Sequence, residues 1–522
     1  MKLNAVLRSR ATLIQALAIA AALVVFGVGL AFNGRFYHED AYITLRYAWN
    51  FLDGQGIVWN AGERVEGYTN FLHLIFSSGL GALGVDLKLA SRIIGGASLA
   101  LALGAIHVAG GRQGLKGSPW RALPLVLVIG SQSVRLNAFG GLETMLYGGL
   151  LMVGICLTMA LAEAPSARLA AWAGLAFAAL AMTRIEGAMF FGISWLYVWL
   201  RSQRLRPGAP VLAMALVFGA IFGAYFLWRW TYYSSFLPNT FYVKTGGLTL
   251  ERIANGSYYV MHYAISAPFS FPATVVALVL AYRRRAITPA MAYLAVLVGV
   301  YLFYVAYVGG DYIVGFRFIA PVIPAASLLL ALALNAAFPA PGRAVAPAYA
   351  AASLALCLQA LGPAVVLPRF DRVSVLGEMI GKYIDQQWDR EAVIALNAAG
   401  AVAYYAPEHR FIDMLGLSDV HIGRREIGER RMPVQIMPGH SKGDGAYVLG
   451  RQPDYIILGT VEGAAANSPL FLSDLEIVET PSFLSLYRKR EVTFDISGIP
   501  NYRFLQENES PTLLFVYYER IR

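Results

Sequence analysis

Residues 11–32 read ATLIQALAIAAALVVFGVGLAF, and a few positions on comes Phe36-Tyr-His-Glu-Asp-Ala-Tyr-Ile-Thr-Leu-Arg46. As a helix, the first stretch rises about 33 Å at ~1.5 Å per residue, enough to cross a hydrocarbon layer of about 30 Å. The second stretch puts two adjacent carboxylates, Glu39 and Asp40, where that helix leaves the layer. A bare carboxylate in hydrocarbon costs several kcal/mol, so the pair faces water, a cavity or a partner. The apolar run follows Arg8-Ser-Arg10, and no small-residue cleavage motif precedes the acidic pair. It is therefore expected to be a retained anchor rather than a cleaved signal peptide.

The rest of the chain repeats the pattern. Of 522 residues, 57% are hydrophobic and 14% charged, against roughly a quarter charged in soluble domains. Apolar segments are expected to span near 11–32, 89–110, 122–135, 142–162, 169–183, 187–201, 210–230, 259–281, 288–308, 317–338 and 346–367, eleven in all. The net charge of +10 then belongs to cytoplasmic loops and anionic lipid, and nucleic acid is not an expected partner. Cys156 and Cys357 both lie in hydrophobic runs, which excludes a disulfide framework or a cysteine zinc site.

The positive-inside rule orients this scheme. Arg112, Lys116 and Arg121 form one basic loop; Arg201, Arg204 and Arg206 form another; Arg283-Arg-Arg285 is a third. These go to the cytoplasm. The acidic pair, the 231–258 loop and Gly309-Gly-Asp-Tyr-Ile-Val-Gly-Phe-Arg317 go outside. The scheme requires that 71–86, short and interrupted by glycines 79, 81 and 84, lies in the interface or on the bundle. After residue 368 the apolar runs shorten to strand length, as in Ala392-Val-Ile-Ala-Leu396, Tyr455-Ile-Ile-Leu458 and Thr512-Leu-Leu-Phe-Val-Tyr517. The expected organisation is a polytopic α-helical membrane module over 1–368, with a first outer loop at 33–88, and a soluble α/β domain over 369–522 on the outer face.

Five outer connections carry charge. The first loop holds Glu39, Asp40, Arg46 and Arg64-Val-Glu-Gly-Tyr-Thr-Asn70. Others hold Gly140-Gly-Leu-Glu-Thr144, Thr183-Arg-Ile-Glu-Gly187, Arg229 with Pro238-Asn-Thr-Phe-Tyr-Val-Lys244, and Asp311 with Arg317. Each alone is readable as solvated acid or snorkelling arginine; together they describe a site for a lipid-linked anionic substrate. Arginine and lysine grip a phosphate and stabilise it as it leaves. A carboxylate at the boundary serves as general base on an acceptor hydroxyl. Apolar grooves hold a lipid tail at ~0.8 kcal/mol per methylene.

These motifs, in this order, resemble the GT-C glycosyltransferases, and more narrowly the mycobacterial terminal β-(1→2) arabinofuranosyltransferase family. Asp413-Met-Leu-Gly-Leu-Ser-Asp419 and Pro438-Gly-His-Ser-Lys-Gly-Asp444 in the tail also look like this group. The resemblance implies Asp40 as the catalytic carboxylate, a polyprenyl-phosphate-linked sugar donor and an envelope glycan, lipid or protein acceptor on the periplasmic side. Many relatives carry two aspartates where this chain reads Glu39-Asp40; Glu39 is a second carboxylate, a metal ligand or an orienter. The sugar implied is arabinofuranose, with hexoses open, and neither inversion nor retention is decided. Arg184, Arg229, Lys244 and Arg317 are expected at the donor phosphate. Arg64, Glu66, Tyr68, Asn70, Glu143, Glu186, Asn239, Asp311 and His440 are expected around sugar and acceptor. Paired carboxylates are compatible with Mg²⁺, but four cations neutralise a phosphate without it, so no obligatory metal is expected. Histidines 421 and 440 lack zinc-site spacing. Tyr404 and Tyr405 are candidates for stacking on a sugar ring. The rival reading, a lipid-linked-sugar transporter, requires inverted halves with midplane charges, a pattern this sequence does not show.

Overall fold

The computed structural model describes residues 2–202, 208–244, 249–339, 345–361, 370–499 and 511–521. Arg204, Arg206, the end of the segment expected at 346–367 and the expected boundary at 368–369 lie outside the described residues, as do the side chains of Arg8 and Arg10. The chain divides into two compact units. The first comprises Met1–Phe36, Ser91–Leu227 and Thr249–Arg369; the second comprises Tyr37–Ala90, Trp228–Leu248 and Phe370–Arg522.

The first unit is helical, and the protein is an integral membrane protein. Among the described residues, six helices are long and apolar enough to cross a bilayer: Thr12–Asn33, Leu87–Leu115, Thr144–Glu163, Ala209–Tyr233, Pro289–Val308 and Ala320–Ala337. A seventh is counted if Leu250–Ser266 and Phe271–Arg283, bent by 79° at their break, form one span. The remaining expected segments are helical but short or broken. Ala167–Thr183 and Gly187–Arg201 have 17 and 15 residues. The segment near 122–135 splits into Leu123–Gly130 and Gln132–Phe139, because Ser131 leaves the helical region (ψ 120°) and its hydroxyl caps Val134. The 267–270 break follows from Pro268, which disfavours helix in the residue before it. The apolar helix Ile323–Ala337 is buried on nearly every face, packed against Phe271–Arg283, Leu123–Gly130 and Pro289–Val308.

The second unit is built on a five-stranded mixed sheet of order β2-β1-β3-β5-β4. Strands β1 (Val393–Leu396), β2 (Arg410–Asp413) and β3 (Tyr455–Ile457) are parallel, while β4 (Tyr487–Asp495) and β5 (Thr512–Arg520) form an antiparallel ribbon joined to β3. The strands β1, β3 and β5 fall on the three short apolar runs. Helix Arg372–Gln387 opens on Asp371, whose Oδ1 accepts the Ser374 N–H at 3.1 Å. Helix Phe71–Ala82, about 18 Å long at ~1.5 Å per residue, is too short to span and belongs to this unit.

Helix Glu39–Leu52 is the centre of the second unit, with nine of its fourteen residues buried. Arg46 is fully buried and donates to the carbonyls of Trp59 (2.7 Å), Ala403, Ala406 (3.4 Å) and His409 (2.9 Å), with its guanidinium over the rings of Trp59 and Phe411. No carboxylate is needed: the carbonyl dipoles hold the charge. Asn60 extends the same seam, exchanging both hydrogen bonds with the Phe411 backbone at 2.8 and 3.1 Å. Replacing Arg46 by Leu would strand several buried carbonyls, so stability is expected to fall by about 3 kcal/mol or more. Thermal unfolding in detergent, with Arg46→Lys as the milder control, checks this; an unchanged midpoint for Arg46→Leu would refute it.

Candidate active site

Helix Glu39–Leu52 has two polar faces. Residues three and four apart share a face, so Asp40, Thr44 and Tyr47 lie on one side, and Glu39, Tyr42 and Arg46 on another. The Asp40 side meets the loop that follows the helix. Thr44 and Asn70 exchange hydrogen bonds at 3.0–3.2 Å. The Tyr47 hydroxyl donates to the Val65 carbonyl (2.7 Å) and accepts the Gly67 N–H (2.9 Å). Its ring packs edge-on against Tyr68, whose hydroxyl is bonded by Tyr233 at 3.2 Å.

The loop is locked by a buried ion pair. Arg229 meets both oxygens of Glu66 through Nε at 3.0 Å and again through Nη2, and gives Nη1 to the Phe236 carbonyl at 2.8 Å. Burial pushes the Glu66 carboxyl up, against the pull of Arg229. The Arg229 guanidinium, expected at a donor phosphate, is thus engaged by protein groups, because Glu66 would otherwise be a bare buried charge. Asn239 is likewise committed: its amide bonds the carbonyls of Gly416, Leu417 and Asp419 at 2.7, 3.1 and 3.0 Å. Those carbonyls come from the Asp413–Asp419 motif. Asp413 folds it, accepting N–H bonds from Leu415, Gly416 and Ser418 at 2.7–3.2 Å. Burial, with the Asp419 charge adding to it, pushes Asp413 up to about 7. Arg64 lies over the Tyr232 ring at 4.6 Å.

His440 connects two other expected residues, Asp40 and Lys244. Its ring stacks on Phe471. Burial lowers its pKa, while the Asp40 charge acts to raise it and Lys244 to lower it. In the second unit, Asp40 and Lys244 each lie within electrostatic reach of His440. The short helix Asn239–Lys244 places Lys244, and Ser441 holds the 438–444 loop to the Val243 carbonyl at 3.3 Å.

Glu39 points away from this cluster. Its carboxylate accepts the N–H groups of Gly400 (2.9 Å) and Ala401 (3.0 and 3.1 Å), and its own N–H donates to Asp371 at 3.1 Å. Burial, Asp371 and Asp40 together push its carboxyl up to about 8, against the pull of the two amides.

The first unit holds a charged cluster of its own. Arg184 bonds Glu143 at 2.7 Å and Glu186 at 3.3 Å, and Glu186 also accepts the Tyr304 hydroxyl at 2.6 Å. Burial acts to raise Glu186, but Arg184 and Tyr304 overcome it and hold the carboxyl below its usual range. Asp311 pairs with Arg317. The turn before Asp311 needs Gly309 and Gly310, which have φ of +99° and +69°. Arg184 and Arg317 both face the ring of Phe318, at 4.9 and 5.2 Å. Sequence reasoning did not pick out Tyr304, Phe318, Asp371 or the Gly400–Ala401 amides. Asp371-Arg-Val-Ser374 carries a cap signal, but Tyr304 and the Gly400–Ala401 amides have partners distant in sequence, as Phe318 has in Arg184. Among the described residues there is no group of three or more His, Cys, Asp or Glu able to hold a metal.

Comparison with known proteins places this architecture. Residues 370–506 match a family model described as Domain of unknown function (DUF8728). The terminal beta-(1->2)-arabinofuranosyltransferase of Mycobacterium tuberculosis is 27% identical over 290 residues, 52% of this chain and 44% of that protein, so the match spans less than half of the relative. Among solved structures, ArnT from Cupriavidus metallidurans bound to undecaprenyl phosphate has a TM-score of 0.54 at 16% identity, covering 76% of this chain and 85% of that one. Its apo state gives 0.54 at 15%. The likeness shows the fold: a membrane protein of the GT-C type with a sheet-containing C-terminal region.

Glu39 and Asp413 bind protons more tightly when folded than when unfolded. Their contribution is complete below about pH 4 and is lost as pH rises through about 7 to 8. Wild type is therefore expected to lose stability relative to Glu39→Gln between about pH 5 and 9. Unfolding midpoints measured across that range would show the two curves diverging; parallel curves would exclude a protonated Glu39.

Proposed function

We propose that this protein is a membrane glycosyltransferase that moves a sugar from a polyprenyl-phosphate carrier to an acceptor hydroxyl. The observation that carries the reading is the position of Asp40 in the first turn of helix Glu39–Leu52, within electrostatic reach of His440, on which Lys244 also acts. Two comparisons support it: the ArnT structure of the same fold is bound to undecaprenyl phosphate, and the curated relative is an arabinofuranosyltransferase. From the relative, arabinofuranose is the sugar proposed, with a hexose as the second reading. An envelope glycan, lipid or protein is the proposed acceptor.

In the reaction, Asp40 takes the proton from the acceptor hydroxyl as its oxygen attacks the anomeric carbon. The bond from that carbon to the phosphate oxygen breaks, and polyprenyl phosphate leaves with the electron pair. Lys244 is proposed to stabilise the leaving charge. In the helical unit, Arg184 and Arg317 are, like Arg229, engaged by carboxylates, and no phosphate role is proposed for them. Arg229 is assigned to holding Glu66 and its loop. Tyr68 and Asn70, ordered on the Asp40 side, are proposed to shape the sugar pocket. No obligatory metal is proposed. The basic loops at 111–121 and 283–285 support an extracytoplasmic site by the positive-inside rule.

Transfer of radiolabelled arabinose from polyprenyl-phosphoryl-arabinose tests the reading. Asp40→Asn is expected to lower turnover by roughly 10²- to 10⁴-fold, the range for loss of a general base, and Lys244→Gln to lower kcat by roughly 10²- to 10³-fold with donor KM little changed. Full activity in Asp40→Asn would overturn the assignment, and turnover from a hexosyl donor alone would select the second sugar. Loss of activity on chelation, restored by Mg²⁺, would reverse the proposal on metal.

A further inference from the structure

The adjacent carboxylates Glu39 and Asp40 do different work. A catalytic or metal-binding carboxylate keeps its oxygens for substrate or ion. Glu39 gives both oxygens to backbone amides: Oε1 to Gly400 and Ala401, Oε2 to Ala401. The position of Gly400 matches this use, because a Cβ there would collide with the Glu39 backbone carbonyl and carboxylate. The same side of the helix makes three more attachments. The Glu39 N–H donates to Asp371, the Tyr42 ring packs against Tyr404 and Tyr405, and Arg46 bonds the carbonyls of Ala403, Ala406 and His409. All are spaced to lie on the side away from Asp40. Tyr404 and Tyr405, considered above for sugar stacking, are part of this seam.

We propose that Glu39 is a positioning residue: it clamps the first turn of the helix to the Gly400–Ala401 amides and so fixes the direction in which Asp40 is presented. This rests on the reading of Asp40 as the reacting carboxylate. What matters in Glu39 is then reach and accepting oxygen, not charge.

Two conservative variants separate this from a catalytic role. Glu39→Gln keeps length and an accepting oxygen but removes the charge; Glu39→Asp keeps the charge but shortens the arm by one methylene. A positioning role predicts kcat within about threefold of wild type for Gln, and a fall of tenfold or more for Asp with donor KM unchanged. Gly400→Ala is expected to behave like Glu39→Asp. The reverse order, Asp active and Gln inactive, would overturn the proposal. Amide hydrogen exchange on the full-length protein gives a readout independent of transfer. Gly400 and Ala401 should stay protected in Glu39→Gln and exchange at least about tenfold faster in Glu39→Ala. Unchanged protection in Glu39→Ala would overturn the clamp even if no transfer is found for any donor. Protection lost as expected, with Asp40→Asn fully active, would leave the clamp standing and refute only the catalytic reading.

Discussion

The second unit depends on satisfying the polar groups of one buried helix. Glu39–Leu52 carries two acids, an arginine, an asparagine and three hydroxyl-bearing residues in fourteen positions, yet most of it is out of water. A buried charge without partners costs far more than any single contact returns. Three of these groups have recruited backbone from other segments: amides for Glu39, carbonyls for Arg46, and the Val58 and Trp59 carbonyls for Asn50. The bonds of Glu39 and Arg46, with those of Asn60, tie residues 39–60 to 371–411, more than three hundred positions away, and the tie gives the helix a defined rotation.

The other buried ion pairs obey the same constraint. Glu66 with Arg229, Arg184 with Glu143 and Glu186, and Asp311 with Arg317 each neutralise a charge where water is scarce. Such pairs add little net stability, since desolvation offsets most of the Coulomb gain. Their effect is to hold loops in one arrangement. For Arg229 this leaves the guanidinium in the service of the loop. Arg184 and Arg317 share the ring of Phe318, which keeps two like charges near each other by supplying a π-face to both.

Much of the architecture was legible because it rests on local pattern. Apolar runs mark helices, and three short runs mark β1, β3 and β5. Among the described residues, fewer helices have spanning length than the eleven segments expected, because hydropathy reports apolarity and not breaks such as those at Ser131 and 267–270. The candidate site was legible only in part. Asp40, Lys244 and His440 were picked out as charged or polar residues in separate loops, and the fold brings Asp40 and Lys244 each within electrostatic reach of His440. Asn239 and Arg229 looked equally functional in sequence, yet their side chains are taken up by the carbonyls of 416–419 and by Glu66.

By itself, then, the sequence determined that this is a polytopic helical membrane protein with a C-terminal α/β region, and that its carboxylates and cations gather in a few loops. Those properties follow from composition and from spacing within about twenty residues, which any helix or strand must express. Only the tertiary structure decided the division of labour between Glu39 and Asp40. Adjacent residues on a helix point about 100° apart, and which of the two directions meets backbone amides depends on residues 400 and 401, whose approach no local pattern encodes.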